Sequence, residues 1–220
     1  MTWSIVARDP ATGALGIVVA TKFFAVGARV PHIATGVGAV ATQALVNPFY
    51  GTRGIRLLGE GVPAAEVITL LIKDDDGRES RQVHLMDSKG RFAAHTGASC
   101  VDWCGHLIRD SFSVAGNMLA GAAVIEDTAR AYEANAALPF AQRLIAAMKA
   151  GEAAGGDKRG KQSAALLIHG AQDYSDLDLR VDDHTDPLAE LTRLEAVSRE
   201  HWTIFRQFMP SREKPAGVFD

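Results

Sequence analysis

The chain has 220 residues, a formal net charge of −3 and a pI of about 6.2, with 47% apolar and 22% charged residues. This balance is typical of a globular protein, and the length predicts one domain over residues 1–210 followed by a loose tail over 211–220. The sequence has no block of Lys or Arg and no apolar run of the ~20 residues that a membrane helix needs, so we expect neither a nucleic-acid nor a membrane partner.

The first part of the chain is rich in predicted β-strand. Segments 3–8 and 14–21 carry apolar and β-branched residues, and the DPATG sequence between them has the turn chemistry of a hairpin loop. A second apolar pair follows at 29–35 and 38–45. These four strands hold few charges, so we expect both faces of their sheet to be covered.

Two helices are predicted next. The first spans 48–59, with Asn47 as its cap and Pro48 in its first turn. The second begins at Pro63 and ends at the DDDG sequence of 74–77. Its buried stripe is predicted to consist of Val67, Ile68, Leu71 and Ile72.

The rest of the chain returns to strands and then mixes the two types. Four strands are predicted at 81–87, 91–97, 104–109 and 112–117, followed by helices at 120–135 and 139–150 and strands at 163–170 and 177–183. A last helix is predicted to begin at Asp186 and Pro187, a cap followed by a first-turn proline. Its buried residues are predicted to be Leu188, Leu191, Leu194, Trp202 and Phe205.

This order of elements predicts an α/β (α+β) fold of four layers. Two apolar sheets interrupted by helix pairs favour mainly antiparallel sheets stacked face to face with helices outside, which is an αββα sandwich. The same order is found in the proteasome-type N-terminal-nucleophile (Ntn) hydrolases.

Several stretches of the sequence also carry a family resemblance. They are SIVARDPATGALGIVVATKFFAVGA, GVGAVATQALVNPFYG, GNMLAG, GGDKRGKQSAALL and LRVDDH, which together span positions 4–184. On these stretches the chain resembles the family called domain of unknown function 1028, which is grouped with the Ntn hydrolases. The resemblance implies the sandwich fold and an amidohydrolase activity, but neither a particular substrate nor an established catalytic set.

Thr2 is the first candidate for catalysis. It directly follows Met1, which is removed efficiently when the second residue is small. Removal would leave an α-amine of pKa about 7.7–8.0 beside the Thr2 hydroxyl, so one residue would supply both base and nucleophile. The alternative is that Thr2 only opens a strand, and Ser4, the next hydroxyl on the same strand face, is a weaker candidate.

Other polar residues could complete such a site. Lys22, at the end of the second strand, or Arg29 could keep the amine neutral, and Asn117 in GNMLAG could donate a hydrogen bond to an oxyanion. The structural alternatives are solvated charges at strand ends for Lys22 and Arg29, and a helix cap for Asn117.

Two further segments are predicted to bind substrate. In the glycine-rich loop before 163–170, Asp157 could orient the α-amine and Arg159 could hold a carboxylate, with Gln162 and Ser163 beside them. The alternative is a charged surface turn. At the exit of the fourth strand we expect Gln43, Asn47 and Tyr50 to line the substrate cleft. The alternative is that Asn47 caps a helix and Tyr50 packs against its neighbours.

Three alternative functions stay open at this point. Asp182, Asp183 and His184 could bind the metal ion of a metal-assisted hydrolase. Neighbouring residues of a strand point to opposite faces, however, so the three side chains cannot easily meet at one ion. Cys104 and His106 could form a nucleophilic pair, although no third orienting group is evident. The chain could also be a non-catalytic protein of the same fold that binds a small metabolite.

The leading hypothesis is an Ntn-type amidohydrolase that acts on a small amide or cyclic amide. We expect no metal and no other cofactor for this chemistry. Cys100 and Cys104 lack a zinc-site spacing and are expected to be reduced thiols in a cytoplasmic protein. A homodimer is expected by analogy with the superfamily.

Overall fold

The computed structural model of the protein describes residues 2–218, which form two antiparallel β-sheets and six α-helices. The strands are β1 (Thr2–Arg8), β2 (Leu15–Thr21), β3 (Pro31–Ala34), β4 (Gly38–Ala44), β5 (Arg81–Asp87), β6 (Phe92–Thr96), β7 (Gly105–Ile108), β8 (Phe112–Asn117), β9 (Ser163–His169) and β10 (Ser175–Val181). The helices are α1 (Pro48–Gly59), α2 (Ala64–Lys73), α3 (Ala123–Ala134), α4 (Phe140–Ala153), α5 (Pro187–Ser198) and α6 (Trp202–Phe205).

The two sheets have different sizes and place β1 near the centre of the larger one. The six-stranded sheet has the order β10-β9-β2-β1-β8-β7, and the four-stranded sheet has the order β3-β4-β5-β6. The sequence suggested that the first four strands share one sheet. This prediction is wrong, because β3 and β4 pair with each other in the second sheet. Both sheets are covered on both faces, as expected.

The layers follow from the alternation of side chains along each strand. In β1, Trp3 and Ile5 belong to an apolar cluster with α3, α4 and α5, whereas Val6 belongs to a cluster between the two sheets. The helices α1 and α2 cover the outer face of the four-stranded sheet around Val40 and Leu85. The four-layer αββα sandwich predicted from the sequence is confirmed.

Local side-chain chemistry explains where several elements begin. In the β1–β2 turn, the Asp9 carboxylate accepts hydrogen bonds from the Ala11 amide and the Thr12 hydroxyl, and Gly13 has a φ of 75° that favours glycine. The Asn47 side chain caps α1 by accepting from the amide of Phe49, as predicted.

The contact between α4 and β1 depends on a glycine. A Cβ atom at Gly151 would collide with Thr128 Oγ1 and would lie 3.0 Å from Trp3 Nε1. The helix α4 continues to Ala153, beyond its predicted end at residue 150, so Gly151 lies inside it. This close approach fixes the strand end that carries Thr2.

The C-terminal region differs from the prediction in one respect. The last helix divides into α5 and the short α6, and Phe205 is 60% exposed instead of buried. Beyond Pro210, the Arg212 amide donates to the Gln172 side chain and the Val218 amide donates to the carbonyl of Phe208. Residues 219–220 of the predicted tail lie outside the described residues. No helix within residues 2–218 is both long and apolar enough to span a membrane.

A buried network of polar side chains joins the two sheets near the start of β1. At its centre, Gln82 Oε1 on β5 accepts hydrogen bonds from Gln43 Nε2 at 2.8 Å and from Asn117 Nδ2 at 3.0 Å. Gln82 Nε2 lies within 3.0 Å of three acceptors, namely Thr96 Oγ1 and the carbonyl oxygens of Gly105 and Gly116. Gln82 is fully buried and therefore ties β4 and β5 to β8 of the other sheet.

His84 extends this network two residues further along β5. Ser4 Oγ donates to Gln43 Oε1 at 2.7 Å, so the His84 Nε2–H donates to Ser4 Oγ at 2.8 Å and Nδ1 accepts from the Ser113 hydroxyl at 2.8 Å. This pattern requires a neutral ring. Burial, assisted by the nearby charge of His106, lowers the pKa of His84 to about 3.

The first prediction concerns Gln82. Gln82→Met keeps the approximate volume of the side chain but leaves the amide hydrogens of Gln43 and Asn117 without their shared acceptor. We expect the free energy of unfolding to fall by roughly 3 kcal/mol, measured by urea denaturation. The control Gln162→Met, whose side chain bonds only to Asp183 near the surface, should change it by less than about 1 kcal/mol. A loss for Gln82→Met no larger than that of the control would contradict the role of the network.

The second prediction concerns pH. In the unfolded chain His84 becomes protonated near its ordinary pKa of about 6.5, whereas in the folded chain it stays neutral down to about pH 3. The stability that the neutral His84 contributes is therefore complete above about pH 6.5 and is lost as the pH falls towards 3. Wild-type protein should lose roughly 3 kcal/mol more than His84→Gln between pH 7 and pH 4. Urea denaturation at each pH measures the difference, and His201→Gln, at an exposed histidine, is the control. Parallel pH profiles for wild type and His84→Gln would show that His84 does not cause the loss of stability at low pH.

Candidate active site

Thr2 is the first residue of β1, and its side chain is on the face of the larger sheet that faces the other sheet. In the strand register it is paired with Thr21 on β2 and with Asn117 on β8, and its hydroxyl donates to Thr21 Oγ1 at 3.2 Å. Its carbonyl oxygen faces Gln43 Nε2 at 3.5 Å and Asn117 Nδ2 at 3.4 Å. The side chains around Thr2 thus come from both sheets, and the network centred on Gln82 holds them.

The backbone is strained around this end of the sandwich. Three non-glycine residues within 2–218 have left-handed backbone conformations, namely Ala25, Ala44 and Met118, with φ of 53°, 69° and 54°. Ala44 directly follows Gln43 and Met118 directly follows Asn117, while Ala25 follows the end of β2. Such conformations destabilise a protein by about 1–3 kcal/mol each and cluster at functional sites. Their positions therefore single out the Thr2 end of the molecule.

Asn117 is close to Thr2, but its donors are occupied. Both contacts of its Nδ2, with Gln82 Oε1 and with the Thr2 carbonyl, are to protein acceptors. The following backbone amides, of residues 118–120, also donate to carbonyl oxygens, at 2.7–3.0 Å. The Asn117 side chain and the amides of residues 118–120 are therefore bonded within the protein and are not free to hold an oxyanion.

Lys22 is adjacent to the site in sequence but its charge points elsewhere. Its backbone amide donates to Asp157 Oδ2 at 2.9 Å, while its Nζ donates to the carbonyl of Lys161 at 3.4 Å in an exposed position. Asp157 is buried and also accepts from the amide and the guanidinium of Arg159. The glycine-rich loop is therefore joined to the end of β2, and Asp157 is its anchor.

The remaining predicted residues of this region have structural contacts. Ser163 is buried and its hydroxyl donates to the carbonyl of Phe23 at 2.5 Å. The Gln162 amide donates to the carbonyl of Thr21 at 2.8 Å, and its side chain bonds to Asp183. Arg29 is exposed in the turn before β3, so it does not begin that strand as predicted.

Asn47 and Tyr50 line a cavity whose described wall does not include Thr2, and their role in binding a substrate stays a prediction. They line a space of about 680 Å³ between α1 and residues 74–77. Asn47 Nδ2 donates to Asp75 Oδ2 at 3.0 Å. Burial and the Asp75 carboxylate raise the pKa of Tyr50. Burial favours a higher pKa for Asp75 too, but hydrogen bonds from Asn47 and Arg81 outweigh it and lower the pKa of Asp75.

The metal alternative does not fit the side-chain geometry. Asp182 pairs with Arg180, Asp183 accepts from Gln162, and His184 Nδ1 accepts from the amide of Asp186. These three side chains diverge, and no cluster of three or more His, Cys, Asp or Glu able to hold a metal occurs among the described residues.

The cysteine alternative is disfavoured by the thiol chemistry. Cys100 and Cys104 are both free, and burial raises the pKa of Cys100 to about 11. Burial, followed by the charge of Asp102, also raises the pKa of Cys104. His106 is hydrogen-bonded to Thr96 Oγ1 instead of to Cys104. Neither thiol is therefore activated as a thiolate nucleophile.

The sequence interpretation missed Thr21 and Gln82. Thr21 could have been found by counting outward from the DPATG turn, since each hairpin pair sums to 23 in residue number, from Arg8 with Leu15 to Thr2 with Thr21. Gln82 could have been found from the RQVHLMD strand, in which Gln82 and His84 alternate with the apolar Val83 and Leu85. Two polar residues on one face of a covered strand indicate a buried network.

Exposed apolar side chains surround the Thr2 end. We call Phe23, Phe24, Leu45 and Val101 the apolar rim, and each is more than half exposed. The first two follow Thr21 by two and three residues, and Leu45 follows Gln43 by two. The carbonyl of Val101 accepts from the Met118 amide at 2.7 Å, next to Asn117. Phe23, Phe24 and Leu45 therefore follow two strand ends that contact Thr2, and Val101, in the loop before β7, is bonded to the residue after the third.

Comparisons with known proteins agree with this fold. The family model described as "Family of unknown function (DUF1028)" matches residues 2–191. A crystal structure of a protein of this family from Silicibacter pomeroyi is 31% identical and superposes with a TM-score of 0.92, covering 100% of this chain and 99% of that chain.

A more distant structure is Anbu (ancestral beta-subunit) from Yersinia bercovieri, at 12% identity and a TM-score of 0.45, covering 93% of this chain and 97% of that chain. No functionally curated protein matches the chain. The resemblance inferred from the sequence is confirmed by the match over residues 2–191 and by the Silicibacter pomeroyi structure. The chain belongs to the family of unknown function DUF1028.

Proposed function

We propose that the protein is an amidohydrolase of the N-terminal-nucleophile type, with Thr2 as its nucleophile once Met1 has been removed. The observation that carries the proposal is the position of Thr2. It opens an inner strand of the larger sheet, faces the space between the sheets, and is contacted by Thr21, Gln43 and Asn117. The strained backbone at the neighbouring strand ends supports the same location.

The chemistry requires only Thr2 and water. Thr2 Oγ1 forms a bond to the amide carbonyl carbon, while its proton passes to the α-amine. Collapse of the tetrahedral intermediate breaks the C–N bond, and the α-ammonium returns the proton to the leaving nitrogen. Water then attacks the acyl ester and gives a proton to the α-amine. As the ester C–Oγ1 bond breaks, the α-ammonium returns this proton to Thr2 Oγ1 and the carboxylic acid is released.

The neighbours of Thr2 have positioning roles in this proposal. Thr21 holds the Thr2 hydroxyl, and Gln43 with Asn117 holds the Thr2 carbonyl. The Lys22 ammonium bonds to Lys161 instead, so we assign it no part in tuning the amine. Asp157 supports the end of β2 through the Lys22 amide.

The apolar rim favours an amide substrate with a bulky apolar group. Exposed aromatic and aliphatic side chains that follow the strand ends around a reactive group offer contact area to such a group. Among the small amides inferred from the sequence, the proposed substrate is therefore one that carries such an apolar group. The homodimer and the cytoplasmic location expected from the sequence stay predictions.

A second candidate function is non-catalytic binding of a small metabolite. One observation favours it: Thr2 is only 7% exposed, which leaves little of its side chain open to a substrate. The two functions differ in whether residue 2 reacts as a nucleophile, so they can be separated by covalent labelling.

The third prediction uses a β-lactone probe, which a nucleophilic hydroxyl opens to leave a stable ester. The chain is released from an N-terminal ubiquitin fusion so that Thr2 is its first residue. We expect one probe per chain, located on Thr2 by peptide mass spectrometry. Thr2→Ala, and a chain that retains Met1, should be labelled at least about tenfold more slowly because each lacks the hydroxyl or the amine. Equal labelling of Thr2→Ala, or no labelling of the chain that begins at Thr2, favours the binding function.

The fourth prediction concerns Thr21. Thr21→Val removes the hydroxyl that accepts from Thr2 Oγ1, so the nucleophile loses its orientation. We expect labelling by the same probe to slow by about tenfold, with a change in the free energy of unfolding of about 1 kcal/mol. The control is Thr192→Val, a threonine of α5 whose hydroxyl bonds to the Leu188 carbonyl. Labelling of Thr21→Val at the wild-type rate would remove Thr21 from the site.

A further inference from the structure

A second cavity lies at the opposite end of the larger sheet from Thr2. Its volume is about 600 Å³, within the range of small-molecule sites. It is lined by the β1–β2 turn, the β9–β10 turn and the start of α4. Because β1 runs from Thr2 to Arg8, this cavity is roughly 20 Å from Thr2, and the proposed hydrolysis does not use it.

A buried arginine forms part of the wall of this cavity. Arg143, in the first turns of α4, is only 9% exposed. Its Nε donates to the carbonyl of Tyr132 at 2.7 Å, and its guanidinium carbon lies 3.8 Å from the centre of the Tyr132 ring. Among residues 2–218 its two terminal nitrogens have no hydrogen-bond partner, and no carboxylate oxygen lies within 4 Å of the guanidinium. The guanidinium therefore has no carboxylate partner among these residues, and its terminal nitrogens are not fully buried, so they can bind an anion in the cavity.

The acidic groups in the same wall have other partners. Asp9 accepts from the Ala11 amide and the Thr12 hydroxyl within its own turn. Asp176 forms an ion pair with Arg206, which also lines the cavity. Burial raises the pKa of Tyr132 to about 12, so the ring beneath Arg143 is an uncharged phenol at neutral pH. None of these groups supplies the missing negative charge at Arg143.

The start of α4 adds donors beside Arg143. Pro139 precedes the helix and provides no side-chain cap, so the first backbone amides of this 14-residue helix have no acceptor among the described residues. Residues 138–141 line the cavity, which places these amides and the positive end of the helix dipole beside the guanidinium. The rest of the wall is largely apolar, with Leu138, Phe140, Ile168 and Leu177.

We propose that this cavity binds a small organic carboxylate with an apolar body. The carboxylate would accept hydrogen bonds from the terminal nitrogens of Arg143 and from the first amides of α4, and the apolar part would contact the four apolar side chains named above. A guanidinium fork matches the two oxygens of a carboxylate. The site is independent of the reaction proposed for Thr2.

The fifth prediction compares two probes of nearly the same shape. Phenylacetate carries the charge, and phenylacetamide lacks it. We expect phenylacetate to bind saturably, with shifts of the backbone amide resonances of residues 138 and 140–143 in ¹H–¹⁵N spectra, and phenylacetamide to bind at least about tenfold more weakly. This comparison uses the wild-type chain and does not depend on the folding of any variant.

Two variants test the location. Arg143→Gln should weaken phenylacetate binding at least about tenfold, whereas the control Arg130→Gln, at an arginine of α3 that pairs with Asp127, should leave it unchanged. If Arg143→Gln does not fold, Ala136→Trp, at an exposed position of the cavity wall, should block binding instead. Equal affinity for the two probes, no saturation up to about 20 mM phenylacetate, or shifts confined to the Thr2 end would each overturn the proposal.

Discussion

The hydrogen bonds of one buried side chain, Gln82, determine how the two sheets meet at the candidate site. Its amide group accepts from Gln43 on its own sheet and from Asn117 on the other sheet, and it donates across the sandwich to the backbone of β7 and β8. Apolar packing between sheets tolerates small sliding movements, whereas a buried amide with matched partners specifies one arrangement. The same two amides reach the carbonyl of Thr2, so the network that aligns the sheets also positions the residue proposed to react.

This arrangement places strain and rigidity at the same end of the molecule. The left-handed conformations of Ala44 and Met118 lie directly after two members of the network, so well-satisfied hydrogen bonds hold backbone that is locally unfavourable. At the opposite end, the guanidinium of Arg143 has no carboxylate partner within residues 2–218 and lines a cavity. The strained backbone marks the Thr2 end, because such conformations cluster where a protein binds or reacts.

Much of the fold could be predicted from the sequence because its signals are local. The cap and proline pairs at Asn47 and Asp186 mark the starts of α1 and α5, and alternation marks the strands. The assignment of strands to sheets could not be read in this way, because β1 pairs with β8 more than 100 residues away. The site was predicted in part. Thr2, Gln43 and Asn117 do come together, but the Lys22 ammonium does not, since a charge at a strand end follows the nearest exposed acceptor, here the carbonyl of Lys161.

The central claim is that the reactive form of the protein begins with Thr2. Intact-mass measurement and N-terminal sequencing of the chain purified from its natural source test this most directly. The account predicts a mass lower by one methionine residue and threonine as the first residue, because only a free α-amine can act as the base. Full retention of Met1 in that protein would contradict the proposed mechanism and leave the sandwich fold unaffected.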